Sequence, residues 1–172
     1  EYTRTAVVAV DPVEASSRSL NLLHNPFPIS GSCYVDNHLY VRLSGNEAAV
    51  EDASETLGAD LEVEESFWDQ VRDHEHPFFQ GNRPLWRVSL ARGSSLHSEN
   101  CQEQLVEWAG AQVWAYMDDA QSMIELGEGE HATPFRNVAA DSSKPISTED
   151  KYVHRLKAAF DPQDIFNRGM VV

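Results

Sequence analysis

Residues 29–45 read ISGSCYVDNHLYVRLSG, and this stretch decides the class of fold. Two β-rich runs flank the pair Asp36-Asn37, and both residues of that pair tolerate the positive φ angles of a tight hairpin turn. Apolar residues then fall at every second position from Leu39 to Leu43, which is typical of a strand with one buried face. The stretch therefore predicts an antiparallel hairpin with a defined core side.

A helical pattern flanks this hairpin on each side. Asp11-Pro12 supplies an N-cap followed by proline at the first helical position, and Asn46 caps a second helix that Gly58 closes. Further β-rich runs precede the first helix and follow the second, at Thr5–Val10 and Ala59–Val63. The resulting order is β-α-β-β-α-β, which is the ferredoxin-like plan.

The same order recurs in the second half of the chain, after a linking helix over Phe67–Asp73. The strands predicted there are Leu85–Ala91, Gln104–Trp108, Ala111–Tyr116 and Glu130–Arg136, with helical segments over Gly93–Asn100 and from Asp118 onward. Ser147 caps a C-terminal helix that Asp161-Pro162 ends. We therefore predict an α+β fold of two tandem, duplicated ferredoxin-like β-α-β-β-α-β units plus a C-terminal helix, divided into residues 1–65, 66–140 and 141–172.

The chain is strongly acidic, and this limits its partners. Its 172 residues include 13 Lys and Arg against 28 Asp and Glu, which gives a formal net charge of −15. Such a charge repels phosphate backbones, so we expect no nucleic acid partner. No run of about 18 apolar residues is present, so no transmembrane segment is expected. Because the sequence opens inside a β-rich run, without an initiator Met or a signal peptide, we expect a piece of a longer protein or a processed one.

Four stretches carry a resemblance to a known family. Residues 156–170 read LKAAFDPQDIFNRGM, in which an Asp-Pro pair, an Ile-Phe pair and an Asn follow a helix. This string resembles the C-terminal signature of the FAD-linked oxidases of the vanillyl-alcohol oxidase type, although Arg168 and Met170 stand where a proline and a basic residue are usual. The stretches 84–90, 107–114 and 129–136 resemble, more narrowly, the E subunits of bacterial glycolate oxidases.

The resemblance implies a function and a set of partners. It implies the C-terminal cap domain of a flavin-dependent 2-hydroxy-acid oxidase subunit, which covers the flavin and completes the substrate cavity. FAD is then bound mainly by a domain that precedes residue 1, so the chain alone is expected to be inactive. The implied partners are a second flavin subunit, an iron–sulfur subunit and a small 2-hydroxy acid. The implied location is cytoplasmic, or peripheral to the inner membrane through the complex.

Oxidation of a 2-hydroxy acid requires a cation that holds the carboxylate and a base that takes the hydroxyl proton. On its predicted strand Arg87 faces away from the apolar Trp86 and Val88, so it is the first candidate for the carboxylate, with a surface ion pair as the alternative. Arg136 is a second candidate for substrate binding. His131, on the same strand as Arg136, is the candidate general base, with a purely structural histidine as the alternative.

Three residues are candidates for contact with the flavin. Strand alternation places Trp114 and Tyr116 on one face together with Gln112, beside Arg87. Because helices cover only one face of a ferredoxin-like sheet, we expect this polar-aromatic surface to be open. The resemblance adds Asn167, whose amide suits the polar edge of an isoalloxazine. Packing beneath the C-terminal helix is the alternative for the two rings, and a helix-ending turn is the alternative for Asn167.

The sequence also contains one pattern that could bind a metal, and its predicted fold is compatible with a second class of function. The motif His74-Glu75-His76 falls at a helix end before Pro77, where the two rings diverge, so we predict no metal ligand set. The rival to an oxidase domain is a non-enzymatic ligand-binding or subunit-assembly module built from the same paired units. The two hypotheses differ in whether the open sheet face meets a flavin.

Overall fold

The computed structural model describes residues 2–58, 63–64, 66–91, 94, 103–118, 125–139, 146–147 and 150–166. Its α-helices are α1 Pro12–Leu22, α2 Glu47–Leu57, α3 Ser66–Arg72 and α4 Asp150–Phe160. Short 3₁₀ turns cover Pro77–Gln80 and Trp108–Gly110. In this described part of the chain, no helix is both long enough and apolar enough to cross a membrane.

The strands form one antiparallel sheet. They are β1 Tyr2–Ala9, β2 Ile29–Val35, β3 His38–Gly45, β4 Leu85–Ser89, β5 Gln104–Glu107, β6 Gln112–Tyr116, β7 His131–Arg136 and β8 Ile146–Ser147. Their order across the sheet is β1-β3-β2-β5-β6-β4-β7-β8. This mixture of helices and antiparallel strands agrees with the predicted α+β class.

The hairpin that decides the fold lies where the sequence predicts it. β2 and β3 pair around Asp36 and Asn37, whose φ angles are 51° and 60°. Helix α2 also has the predicted ends: the side chain of Asn46 accepts a hydrogen bond from the backbone N–H of Ala48 at 3.0 Å, and Gly58 follows the helix with a φ of 65°. Local turn and cap chemistry therefore sets these boundaries.

Apolar side chains are buried on both faces of the sheet. On one side, which we call the α1/α2 face, helices α1 and α2 cover the core residues Leu39, Val41 and Leu43. The opposite side, the α3 face, is covered by α3 and the turn 77–80, which bury Cys33, Val35, Leu105, Trp114 and Tyr116 together with Phe67, Val71 and Phe79. A third cluster around Trp86 and Val88 extends the α1/α2 face into the second half, since Val106 packs against both clusters.

The sheet runs through both halves of the chain. The strands β1-β3-β2 form one group and β5-β6-β4-β7-β8 form the other. The two groups meet where β2 pairs with β5 at Cys33–Glu107 and Tyr34–Val106, a join that we call the seam. The tandem duplication and the divisions after residues 65 and 140 stay predictions, because most of the strand expected over Ala59–Val63 and most of the later helical segments fall outside the described residues.

The C-terminal helix begins later than predicted. Ser147 does not cap it but lies in β8, where it pairs with His131, and α4 starts at Asp150. Its predicted end before Asp161 is confirmed. The side chains of Tyr152, Leu156 and Phe160, spaced one helical turn apart, are exposed, and Phe160 is 84% exposed.

Candidate functional site

A group of polar side chains lies on the α3 face in the second half of the sheet. The strand register places Arg87 of β4 opposite Trp114 of β6, and Gln112 of β6 opposite Glu107 of β5. Residues directly opposite each other in a sheet project to the same side, and so do residues two apart on one strand. Arg87, Gln112 and Trp114 therefore share a face, as the alternation predicts, and Glu107 joins them.

These four side chains form a hydrogen-bonded series, which we call the polar chain. Arg87 Nε donates to Gln112 Oε1 at 2.9 Å, and Gln112 Nε2 donates to Glu107 Oε2 at 2.8 Å. Trp114 Nε1 donates to the same carboxylate oxygen at 2.7 Å. The carboxylate thus anchors one end of the polar chain, and the guanidinium forms the other.

Arg87 is exposed, although its neighbour Gln112 is only 6% exposed. The hydrogen bond to Gln112 uses Nε, whereas four of the five N–H groups of a guanidinium belong to Nη1 and Nη2. Within the described residues no carboxylate pairs with Arg87, so the surface ion pair considered as an alternative is not seen there. A cation held in this way suits a bidentate carboxylate ligand.

Strand β7 borders Arg87 on the other side. Thr133 lies opposite Arg87, and His131 lies opposite Ser89, so both of these exposed side chains share the α3 face. His131 is therefore a diagonal neighbour of Arg87, and such neighbours are about 7–8 Å apart in an antiparallel pair. The structure thus brings together the residues predicted as carboxylate ligand and general base.

A β-bulge places Arg136 on this face as well. Strict alternation puts His131 and Arg136 on opposite sides, but Leu85 pairs with Arg136 while the next residue of β4 pairs with Pro134, so Phe135 is an extra residue. Arg136 Nη1 donates to the carbonyl oxygen of Phe79 at 3.0 Å, and its guanidinium lies 5.6 Å from the centre of the Phe135 ring. Arg136 is therefore tied to the turn 77–80.

The rings of Trp114 and Tyr116 do not lie on an open surface as expected. Each residue is 4% exposed beneath the segment that follows α3. The ring centres of Phe79 and Trp114 are 5.6 Å apart, and the Tyr116 hydroxyl donates to the carbonyl of Phe78 at 2.7 Å and accepts from the N–H of Gly81 at 3.1 Å. The expectation was wrong because α3 and the turn 77–80 cross the sheet face that a ferredoxin-like unit leaves free. The rings of Trp114 and Tyr116 are covered by the turn 77–80, and not by the C-terminal helix that the alternative prediction named.

The histidine motif contributes two differently placed rings. His74 adopts a φ of 58°, and its ring centre lies 4.9 Å from that of Trp114 and 5.0 Å from that of Phe135. His76 is buried, and its Nδ1 accepts a hydrogen bond from the N–H of Phe78 at 3.2 Å. The two rings pack against different neighbours, in agreement with the expected divergence.

Burial lowers the pKa of His74, and the nearby guanidinium of Arg136 lowers that pKa further. The carboxylates of Glu107 and Asp73 act in the opposite direction and are outweighed. The imidazole of His74 is therefore mainly neutral at pH 7. The ring of His74 thus contacts the rings of Trp114 and Phe135, and it is close enough to Arg136 and Glu107 to feel their charges.

Glu107 and His74 also belong to this surface, although neither is among its predicted members. Glu107 and Gln112 flank the hairpin turn, so their cross-strand pairing was a usable signal. His74 gave no signal, because its place depends on a single positive φ after α3 that no local pattern in the sequence predicts. The prediction for Asn167 lies outside the described residues.

Comparison with known proteins reveals a clear similarity. Over 161 residues the chain is 38% identical to the glycolate oxidase subunit GlcE of Escherichia coli (strain K12), a match that covers 91% of this chain and 45% of that subunit. No protein-family model matches the chain, and no solved structure does. The chain is therefore similar, over nearly all of its own length, to less than half of a glycolate oxidase subunit, in agreement with the resemblance found in the sequence.

Proposed function

We propose that the chain is the C-terminal cap domain of a flavin-dependent oxidase subunit that acts on a small 2-hydroxy acid such as glycolate. The similarity to a glycolate oxidase subunit supports the class of reaction. The observation that carries the chemistry is the exposed guanidinium of Arg87, held at Nε by Gln112 and, among the described residues, not paired with a carboxylate. Such a cation matches the charge and shape of a small carboxylate.

In this proposal Arg87 binds the substrate carboxylate through its Nη atoms. The hydroxyl group of a 2-hydroxy acid lies on the neighbouring carbon, so it falls beside the carboxylate. His131, the diagonal neighbour of Arg87 on β7, accepts the hydroxyl proton. Arg136 is the second proposed contact for the carboxylate, although one of its Nη atoms already donates to Phe79.

FAD, which would accept the hydride from the carbon that bears the hydroxyl group, is proposed to come from the part of the longer protein outside this chain. The rings of Trp114 and Tyr116 are buried, and their polar atoms are already hydrogen-bonded, so they do not fit as a flavin-binding surface. Asn167 stays a predicted flavin contact. The proposed partners are a second flavin subunit and an iron–sulfur subunit, either in the cytoplasm or at the inner membrane through the complex, and we expect the chain alone to be inactive.

A duplicated ferredoxin-like fold is part of the same proposal. The spatial order β5-β6-β4-β7 corresponds to the second, third, first and fourth strands of a predicted unit, which is the ferredoxin-like order. The order β1-β3-β2 supplies the first, third and second strands of the other unit. This pattern supports two units joined edge to edge through their second strands.

The test is Arg87→Leu in the full-length subunit, assembled with its partners. We expect kcat/KM for glycolate to fall by about a hundredfold or more, because two charge-assisted hydrogen bonds are lost and each contributes roughly 1.5–3 kcal/mol. Steady-state oxidation of glycolate with an artificial electron acceptor measures this effect.

The matched control is Arg42→Leu, which removes an exposed arginine from the same sheet face in the first half of the chain. Its kcat/KM should stay within about twofold of the wild-type value. Equal effects of the two substitutions, or no effect of either, would contradict the role proposed for Arg87.

A role in subunit assembly is the second candidate, and the exposed apolar side chains of α4 and the following turn favour it. Phe160 is joined there by Tyr152, Leu156, Ile165 and Phe166, all more than half exposed. The flavin spectrum of the full-length subunit discriminates the two functions. If that subunit binds FAD but glycolate never perturbs the spectrum, and if Leu156→Ser with Phe160→Ser prevents complex formation, the domain serves assembly.

A further inference from the structure

The polar chain has a direction that its chemistry fixes. A carboxylate only accepts hydrogen bonds, so the amide of Gln112 must turn Nε2 towards Glu107 and Oε1 towards Arg87. The indole of Trp114 only donates, and it donates to the same oxygen of Glu107. Donors on two sides therefore hold the carboxylate, and the carboxylate in turn holds the amide.

The residue type at position 112 matters because an amide is neutral. Gln112 binds Nε of Arg87 without cancelling the charge of the guanidinium, whereas a carboxylate there would form an ion pair with it. The compensating negative charge lies one side chain further away, on Glu107. The cation is thus held in place while its charge stays available to a ligand.

The hydrogen bond to Nε also selects one edge of the guanidinium. A carboxylate binds arginine either along the edge that includes Nε or along the edge formed by Nη1 and Nη2. Gln112 occupies Nε, so the first edge is taken. The second edge is left for a planar anion of the size of one carboxylate group.

We propose that Gln112 is a positioning residue, oriented by Glu107, which fixes the guanidinium of Arg87 for end-on, bidentate binding of a small organic carboxylate. This inference rests on the proposed function, since it takes Arg87 as the substrate ligand. In this view Trp114 belongs to the support of the anion site, because its N–H holds the carboxylate that orients Gln112.

The test compares Gln112→Leu and Gln112→Glu in the full-length subunit within its complex. Gln112→Leu keeps the charge of Arg87 but frees its orientation, so we expect KM for glycolate to rise about tenfold while kcat changes less than about threefold. Gln112→Glu should raise KM further, because the new carboxylate pairs with Arg87 and repels the carboxylate of Glu107, which then no longer orients residue 112. If Gln112 contributed only packing, Gln112→Glu would have the smaller effect of the two on KM, because glutamate has the same size as glutamine.

Two further variants keep the test decisive. Gln70→Leu removes an amide of the same type from helix α3, where Nε2 contacts only Ser66 Oγ among the bonds described, and its KM should equal that of the wild type. If Gln112→Leu does not fold, Gln112→Met replaces it, because methionine keeps the length and flexibility of the side chain without the acceptor.

Each outcome distinguishes this inference from the proposed function. If Arg87→Leu abolishes activity but KM is unchanged in both Gln112 variants, the positioning role is wrong and the proposed function stands. If Arg87→Leu has no effect on activity, the proposed function fails, and NMR titration of the Arg87 Nε–H signal with glycolate in the 172-residue chain tests the inference directly. The inference is supported if Gln112→Leu needs a tenfold higher glycolate concentration than the wild type for half of the signal shift. It is overturned if both proteins need the same concentration, or if the signal of the wild type does not shift at all.

Discussion

Arg42 and Arg87 occupy comparable places in the two halves of the sheet. Each lies in a strand flanked on both sides, β3 between β1 and β2 and β4 between β6 and β7, and each is exposed on the α3 face. No side chain in the described part of the structure bonds to the guanidinium of Arg42, whereas Gln112 holds that of Arg87. Exposure and charge are therefore shared by both positions, and only the surrounding hydrogen bonds distinguish the candidate site.

The cover over the α3 face explains the difference between the two halves. Beside Arg42, Trp68 of α3 packs against Gly31 and donates its indole N–H to Thr5 Oγ1 at 2.8 Å. Beside Arg87, Phe79 of the turn 77–80 packs against Trp114, whereas Arg87 and His131 are exposed. In the first half, the ring of Trp68 therefore fills the space beside the exposed arginine. In the second half, the polar chain occupies the corresponding place.

The largest effect should come from removing the cover in the second half. Phe79 is fully buried and contacts the rings of His74 and Trp114, so Phe79→Ala leaves a cavity above the polar chain. We expect the free energy of unfolding to fall by about 3–5 kcal/mol, as measured by urea denaturation. A loss below about 1 kcal/mol would mean that the turn 77–80 does not pack against the sheet.

A smaller loss of stability should distinguish Arg87 from Arg42. Arg87→Leu leaves the nearly buried Oε1 of Gln112 without its donor, so the free energy of unfolding should fall by about 1–3 kcal/mol. Arg42→Leu breaks no comparable bond and should change it by less than about 0.5 kcal/mol. Parallel urea titrations of the two variants measure this, and equal values would remove the distinction between the two positions.

The smallest effect concerns pH and His74. Because its pKa is lowered in the folded state, the unfolded chain binds a proton more readily once the pH falls below the ordinary histidine value of about 6.5. The contribution of His74 to stability is therefore complete above that pH and decreases as the pH falls towards the folded-state pKa. His74→Asn, which tolerates a positive φ, should flatten the dependence of the free energy of unfolding between pH 7.5 and pH 5.5. An unchanged slope would contradict the lowered pKa.

Features of this fold that depend on neighbouring residues in the sequence could be predicted. The turn at Asp36-Asn37, the caps of α2 and the shared face of Arg87, Gln112 and Trp114 follow from turn chemistry, capping and alternation. These rules act over a few residues and need no knowledge of distant packing.

The features that escaped prediction depend on long-range contacts. Nothing near Trp114 in the sequence signals that the segment after α3 returns to cover it, and no local pattern predicts the positive φ of His74 that turns the chain there. Arg136 changes face only because a bulge at Phe135 inserts an extra residue into β7. The residues around the candidate anion site were thus predicted in part, but their cover was not.

Glu107 lies at the seam and contributes to both halves of the sheet. Its backbone pairs with Cys33 of the first half, while its side chain anchors the polar chain of the second. Burial holds the pKa of the Cys33 thiol well above its usual range, and the negative charge of Glu107 adds to this, so the first half offers the carboxylate a neutral neighbour of fixed volume. A larger residue at position 33 would displace Glu107 and, through two hydrogen bonds, the guanidinium of Arg87. The two halves on either side of this join therefore depend on each other, and we expect that replacing one of them with the corresponding half of a relative would disturb the candidate anion site.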